Sequence, residues 1–274
     1  MRLCWSSDWP GANLLKDDLP GQARIYCLNV QGAPKGRSRC CHDGTFAAPE
    51  SWPALAVTLG RAWAADECAV QTRERQAALS PDTALQELKV GNERFLSQNM
   101  RSCDLLGQVR ATAGGQFPFA LVIGCMDSRV PPELVFDQRI GDIFSARLAG
   151  NVAEDDVVGS AEFATKLAGA KLIVVLGHSE CGAVKGAIDG AELGKLTHLL
   201  QRIKPAVEAN RNAPGEHTST NKDFVQRVAT TNVRLAAQSL QNESQVLRDL
   251  VARNELKIVA AMHDIASGRI TFLE

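Results

Sequence analysis

No apolar run in this sequence approaches the roughly 20 residues that a membrane-spanning helix needs, so no membrane partner is expected. Charge of either sign is barely in excess: 30 basic against 31 acidic side chains leave a net of −1. That excludes the broad basic face on which long-range attraction to nucleic acid depends. After Ser80 there is no internal repeat and no low-complexity tract, and 274 residues with 45% apolar side chains suffice for one large α/β domain with extra segments, or for two small ones. Cysteine is sparse where a cross-linked fold would need it. Cys4, Cys27, Cys40, Cys41 and Cys68 precede the patterned region, and only Cys103, Cys125 and Cys181 fall inside it. Disulfide frameworks are dense and span the folded unit, so none is expected.

Residues 1–75 lack a sustained period of 2 or 3.6 and hold all four tryptophans, Trp5, Trp9, Trp52 and Trp63, with the single tyrosine, Tyr26. They are read as a poorly ordered N-terminal extension; the alternative is a small aromatic satellite packed on the domain. Within them, residues 52–66 resemble a worn secretory signal, a short apolar stretch closed by the cleavage-like triplet Ala62-Trp63-Ala64, set roughly fifty residues too far along the chain. As written, the chain is expected in the cytoplasm. With an internal start ahead of that stretch, the product would reach the periplasm and mature from about Ala65.

From Ser80 the patterns sharpen into a domain over residues 80–274. Ser80-Pro81-Asp82 opens a helix, proline suiting its first turn, and Leu85, Leu88, Val90, Phe95 and Leu96 fall roughly on one side. Residues 117–124 and 170–177 are short apolar runs with β-branched residues closed by glycine, which suits parallel strands buried on both faces. Residues 155–169 have helical spacing between them, giving strand, crossover helix, strand; residues 143–148 can add another strand. Helices follow at about 181–187, 193–209 and 222–252. Residues 256–262 and 269–273 close the chain as a strand pair turned at Ser267-Gly268. The fold class is therefore α/β, a central mainly parallel sheet flanked by helices, with a C-terminal helical region.

The two buried runs end in Cys125-Met126-Asp127-Ser128-Arg129 and in His178-Ser179-Glu180-Cys181-Gly182. Strand carboxyl ends are where ligands bind in open parallel sheets, so Cys125, His178 and Cys181 can meet in space. Two thiolates and an imidazole suit zinc and leave a fourth tetrahedral position open, where zinc can activate water. Each part has a plainer reading. A buried cysteine is usually an apolar filler, Cys125 and Cys181 could form a disulfide or a redox pair, and an exposed Asp127/Arg129 pair is usually a modest ion pair. Beside a metal, Asp127 could orient bound water with Arg129 restraining it, or could occupy the fourth position itself.

At these residues the sequence resembles the β-class carbonic anhydrases: Gln116-Phe117-Pro118, the stretch from Cys125 through Arg129 to Val130-Pro131-Pro132-Glu133, Phe136-Asp137, Gly141-Asp142-Ile143-Phe144, Arg147, Ala149-Gly150-Asn151, and Gly177-His178-Ser179-Glu180-Cys181-Gly182-Ala183-Val184. The resemblance covers about residues 80–274. It implies one zinc ion per subunit, held by Cys125, His178 and Cys181, and reversible hydration of carbon dioxide to bicarbonate and a proton by zinc-bound hydroxide. Asp127 and Arg129 match the family's dyad, in which the aspartate orients the hydroxide or, in a closed state, ligates the metal. Gln116 matches a glutamine that reaches the substrate from the neighbouring subunit. Phe144, Ala149, Phe163 and Gly182 match a small apolar pocket, with core packing as the alternative for each. A homodimer or homotetramer is implied, its N-terminal helix lying across the partner.

Other functions stay open on the same residues: hydrolysis of carbonyl sulfide or carbon disulfide, or a structural zinc protein closed by Asp127. The sequence departs from the family at three places. Arg139 replaces a common glycine and would cost something if the backbone there needs a positive φ. His263 and Phe163 replace frequent tyrosines, and neither is expected to touch a ligand.

Overall fold

A computed structural model of the chain describes residues 67–273. The tryptophans, the tyrosine and the signal-like segment at 52–66 lie outside them. Five strands form one sheet in the order β2-β1-β3-β4-β5: β1 Ala120–Gly124, β2 Ile143–Arg147, β3 Leu172–His178, β4 Lys257–His263 and β5 Ile270–Leu273. The first four are parallel and β5 runs antiparallel to β4, its turn closed by Gly268 at a φ of 78°. β1 and β3 are adjacent, with Gly124 opposite Leu176. Every residue of both is buried, the outcome that their unbroken apolar character predicts.

Side chains leave these strands alternately for two cores. Leu121, Ile123, Ile173 and Val175 join the larger one. It is covered by α5 Asp155–Glu162, α6 Gly182–Ile188, α7 Gly194–Gln201, α8 Lys204–Ala209, α9 Lys222–Glu243 and α10 Gln245–Ala252. Ala120, Val122, Leu172, Val174 and Leu176 join the smaller, covered by α2 Pro81–Leu96 and the short α4 Pro132–Val135; α1 Arg73–Ala78 and α3 Leu105–Thr112 are the remaining α-helices among the described residues. The expected helices over 193–209 and 222–252 are each two. Arg202 and Ile203 separate the first pair, and Ser244 leaves helical geometry to cap α10 through Leu247 N–H. α5 continues into a π-helical turn, Phe163–Leu167.

α2 begins as its sequence predicts, with Ser80 accepting from Thr83 N–H and Pro81 in the first turn. Part of its apolar side is occupied within the chain. Ala84 and Leu88 are fully buried in the smaller core, and Leu85 and Phe95 pack on it. Val90 remains exposed.

Ordered structure begins ahead of Ser80. Buried Gln76 of α1 donates from Nε2 to the carbonyls of Pro118 and Ala168, each at 2.7 Å, tying α1 to the entrance of β1. Cys68 and Cys103 are joined by a disulfide, their Cα atoms 5.5 Å apart. It is the one disulfide among the described residues, and the cysteine spacing gave no expectation of it. Pairwise spacing could not reveal it, since one partner falls in the segment read as an extension.

Arg139 occupies its position without positive φ; the left-handed residues are Asp137 and Gly141 on either side. Its Nε donates to Asp142 Oδ2 at 3.0 Å in a buried pair, so a side chain fits where the family commonly has none.

Candidate metal centre

β1 and β3 deliver their next residues to one place because they are neighbours that run in the same direction. Cys125 follows the last residue of β1, His178 ends β3, and Cys181 caps α6 after a tight turn in which Glu180 adopts a φ of 58°. The three donor atoms lie within 4.8 Å of one another, all buried. The two sulfurs are 4.0 Å apart and unbonded, which sets aside the disulfide reading. A tetrahedral zinc with Zn–S near 2.3 Å would hold two thiolates about 3.8 Å apart.

The imidazole gives the sharpest test of fit. His178 is 0% exposed, and its Nδ1 lies 2.9 Å from the carbonyl of Ser179. A carbonyl only accepts, so Nδ1 carries the proton and Nε2 keeps its lone pair. That Nε2 is buried with no hydrogen-bond partner. An orphaned buried nitrogen is costly, and a metal between it and the two sulfurs removes the cost.

The sulfurs are unequal without a metal. Hydrogen bonding from Cys181 holds the Cys125 thiol far below its ordinary range despite burial, and the same contact with burial pushes Cys181 up. The contact favours the thiolate at Cys125 and the thiol at Cys181. Gly150 N–H adds a donor to Cys125 Sγ at 3.3 Å, at a φ of 74° where an added Cβ would strike Ile203; Asn232 anchors the Gly150 carbonyl at 2.8 Å.

Arg129 grips Asp127 through Nε and Nη2, and this holds the carboxyl well below the usual carboxylate range. Asp127 Oδ2 stands 3.9 Å from His178 Nε2, at the rim of the cluster. Arg147, at the end of β2, donates to the carbonyls of Cys125 at 3.0 Å and Asp127 at 2.5 Å. Sequence reading placed Arg147 and Gly150 in a motif without a role. Pairing β2 with β1 in register, Arg147 opposite Gly124, is the signal that would have supplied one.

The remaining predicted residues divide. Phe144 and Phe163 meet edge to face at 6.2 Å, and Phe163 is 51% exposed; Ala149 is half-buried, and open space surrounds the Cβ position of Gly182. Gln116 is exposed and precedes β1, whereas Cys125 follows it. At about 3.3 Å per strand residue, roughly 17 Å of strand separates the two. Gln116 does not join this chain's own cluster. His263, whose two ring nitrogens are buried without partners, sits directly opposite His178 in the β3/β4 register, and burial lowers its pKa.

A mainly parallel α/β sheet thus brings three soft donors able to hold a metal ion together at the ends of adjacent strands. The carbonic anhydrase family profile matches residues 120–270. Carbonic anhydrase 2 of Mycobacterium tuberculosis is 35% identical over 196 residues, 69% of this chain and 91% of that protein. The carbonic anhydrase of Mycolicibacterium smegmatis is 34% identical over 197 residues, 70% and 92% of the two. Among solved structures, a tetrameric β-carbonic anhydrase of Sordaria macrospora superposes with a TM-score of 0.56 at 27% identity, covering 80% of this chain and 95% of that one. A β-carbonic anhydrase of Aspergillus fumigatus gives 0.56 at 26%, covering 70% and 90%. The chain belongs to the β-class carbonic anhydrases.

Proposed function

We propose that this chain catalyses the reversible hydration of carbon dioxide to bicarbonate and a proton, with zinc held by Cys125, His178 and Cys181. The observation that carries this reading is the orphaned Nε2 of His178 converging with two thiols beside an arginine-held carboxylate. Zinc bound there supplies Lewis acidity that makes water nucleophilic near neutral pH. Asp127, kept ionised by Arg129, would accept a hydrogen bond from the attacking water and aim it. Arg129 at the same time restrains the carboxylate from the metal, which supports an open site rather than one closed by Asp127. Phe144 and Phe163, with Ala149 and the bare backbone of Gly182, form an apolar wall that suits an uncharged, weakly hydrated substrate.

The amide of the partner subunit's Gln116 donates a hydrogen bond to a substrate oxygen. Its exposed position beyond the far end of β1 supports a site completed between copies, and so a homodimer or a tetramer of dimers. The exposed Leu105, Leu106 and Val109 of α3 and Met126 supply apolar surface for that contact.

Metal analysis with stopped-flow hydration from about pH 6 to 9 tests the reading. One zinc per chain and a rate abolished in Cys181→Ser are expected. Zinc-free wild type that leaves the background rate unchanged would sink it.

A further inference from the structure

The eight cysteines fall into two sets around residues 52–66. Cys4, Cys27, Cys40 and Cys41 precede that segment, and Cys68, Cys103, Cys125 and Cys181 follow it. All four of the latter have assignments: two thiols in the metal centre and two in the disulfide. The dividing segment ends in Ala62-Trp63-Ala64, small residues at the first and third positions before Ala65, after an apolar stretch, as a secretory cleavage site requires.

We propose that the chain is exported and cut between Ala64 and Ala65, and that Cys68 and Cys103 are then oxidised outside the reducing cytoplasm, fastening the new N-terminus to the domain. The pattern of cysteines fits this closely. The cut removes Cys4, Cys27, Cys40 and Cys41, and of the four cysteines that stay, two are bridged and the two free ones are the metal-centre thiols. In an oxidising compartment unpaired thiols mispair by exchange, whereas in a reducing one a structural disulfide does not persist. The segment following the cut is built to be held. The Cys68 carbonyl accepts from Gln108 Nε2 at 3.1 Å, the Ala69 carbonyl from Arg75 Nη1 at 3.4 Å, and Gln76 locks onto Pro118 and Ala168. Contact with the domain therefore begins within a few residues of Ala65.

The two steps balance. Water cleaves the Ala64–Ala65 amide to a carboxylate on Ala64 and an amine on Ala65. The two thiols exchange with the disulfide of a dithiol oxidoreductase, which leaves as the dithiol carrying the two electrons and two protons they lose.

The test expresses the full chain, and in parallel a chain begun at Val30 so that Lys35, Arg37 and Arg39 form a basic head before the apolar stretch, in a bacterium with a periplasm. Periplasmic protein is analysed by N-terminal sequencing and by alkylation after denaturation with a zinc chelator. An N-terminus at Ala65 is expected from at least one of the two, with two alkylated thiols before reduction and four after. Retention of residues upstream of Ala65 in both, or four alkylated thiols without reduction, overturns the proposal. Cys68→Ser separates the steps: its N-terminus stays at Ala65, while three thiols alkylate before reduction. None of these readouts depends on hydration activity, so the catalytic reading and this one fail separately.

Discussion

Arg129 holds both carboxylate oxygens of Asp127, through Nε at 2.9 Å and Nη2 at 2.7 Å, while its own backbone N–H donates to Oδ1 at 2.9 Å. Three donors on one carboxylate fix its direction as well as its charge. Removing the side chain in Arg129→Ala frees Asp127 to turn toward a donor cluster whose nearest nitrogen is 3.9 Å away. The expected result is a fall in kcat/KM of about 10–100-fold, the range for partners one layer out from a metal, with zinc content unchanged.

The same grip sets a pH expectation. The folded-state pKa of Asp127 is depressed, so the carboxylate is already charged above the ordinary range near pH 4 and stays charged as pH falls further. Protonation of Asp127 therefore contributes nothing to the rate profile between pH 6 and 9. Asp127→Asn is expected to lower the plateau of that profile by about 10–100-fold while leaving its midpoint in place. A midpoint displaced by a full unit would contradict this.

Metal uptake should report the unequal sulfurs. With the Cys125 thiol pushed down and the Cys181 thiol pushed up by their mutual contact, zinc binding to the metal-free protein is expected to release about one proton rather than two. Calorimetry at pH 7 in buffers of different ionisation enthalpy measures the number directly.

A site completed by a second copy can be tested by mixing two inactive chains. Gln116→Ala keeps its metal ligands, and Cys181→Ser keeps its glutamine. After unfolding and refolding together, half of the dimers are mixed and each restores one site, so activity should return to about a quarter of wild type for random pairing.

Closing the 35-residue separation between Cys68 and Cys103 restricts the unfolded chain. Cys103→Ser is expected to lower unfolding free energy by about 2–4 kcal/mol, with hydration at low temperature unchanged. Denaturant titration read alongside the rate separates the two.

The parts of the fold legible in sequence were those set by local pattern. Residues 170–177 read as a buried strand because Leu172, Ile173, Val174, Val175 and Leu176 follow one another without a polar side chain, and Ser80-Pro81 read as a helix start because their own chemistry caps it. The ligands Cys125, His178 and Cys181 were legible because strand ends and their spacing constrain one another. What escaped depends on contacts between distant segments. Arg147 reaches the Cys125 carbonyl only once β2 lies beside β1, and Asn232 supports Gly150 across 82 residues. The break at Ser244 escaped for a different reason: its flanks are good helix formers, and only the shared cap, with Ser244 Oγ also donating to Glu162, selects two helices over one.

β2 is the outermost strand on its side of the sheet, and its last residue is the one that clasps the backbone beneath the metal centre. Strand borders open more readily than interiors, so a metal ion held at this centre would be expected to leave faster when this border frays. Any assembly that covers β2 would then act as a kinetic guard on the metal, slowing its escape without adding a single ligand.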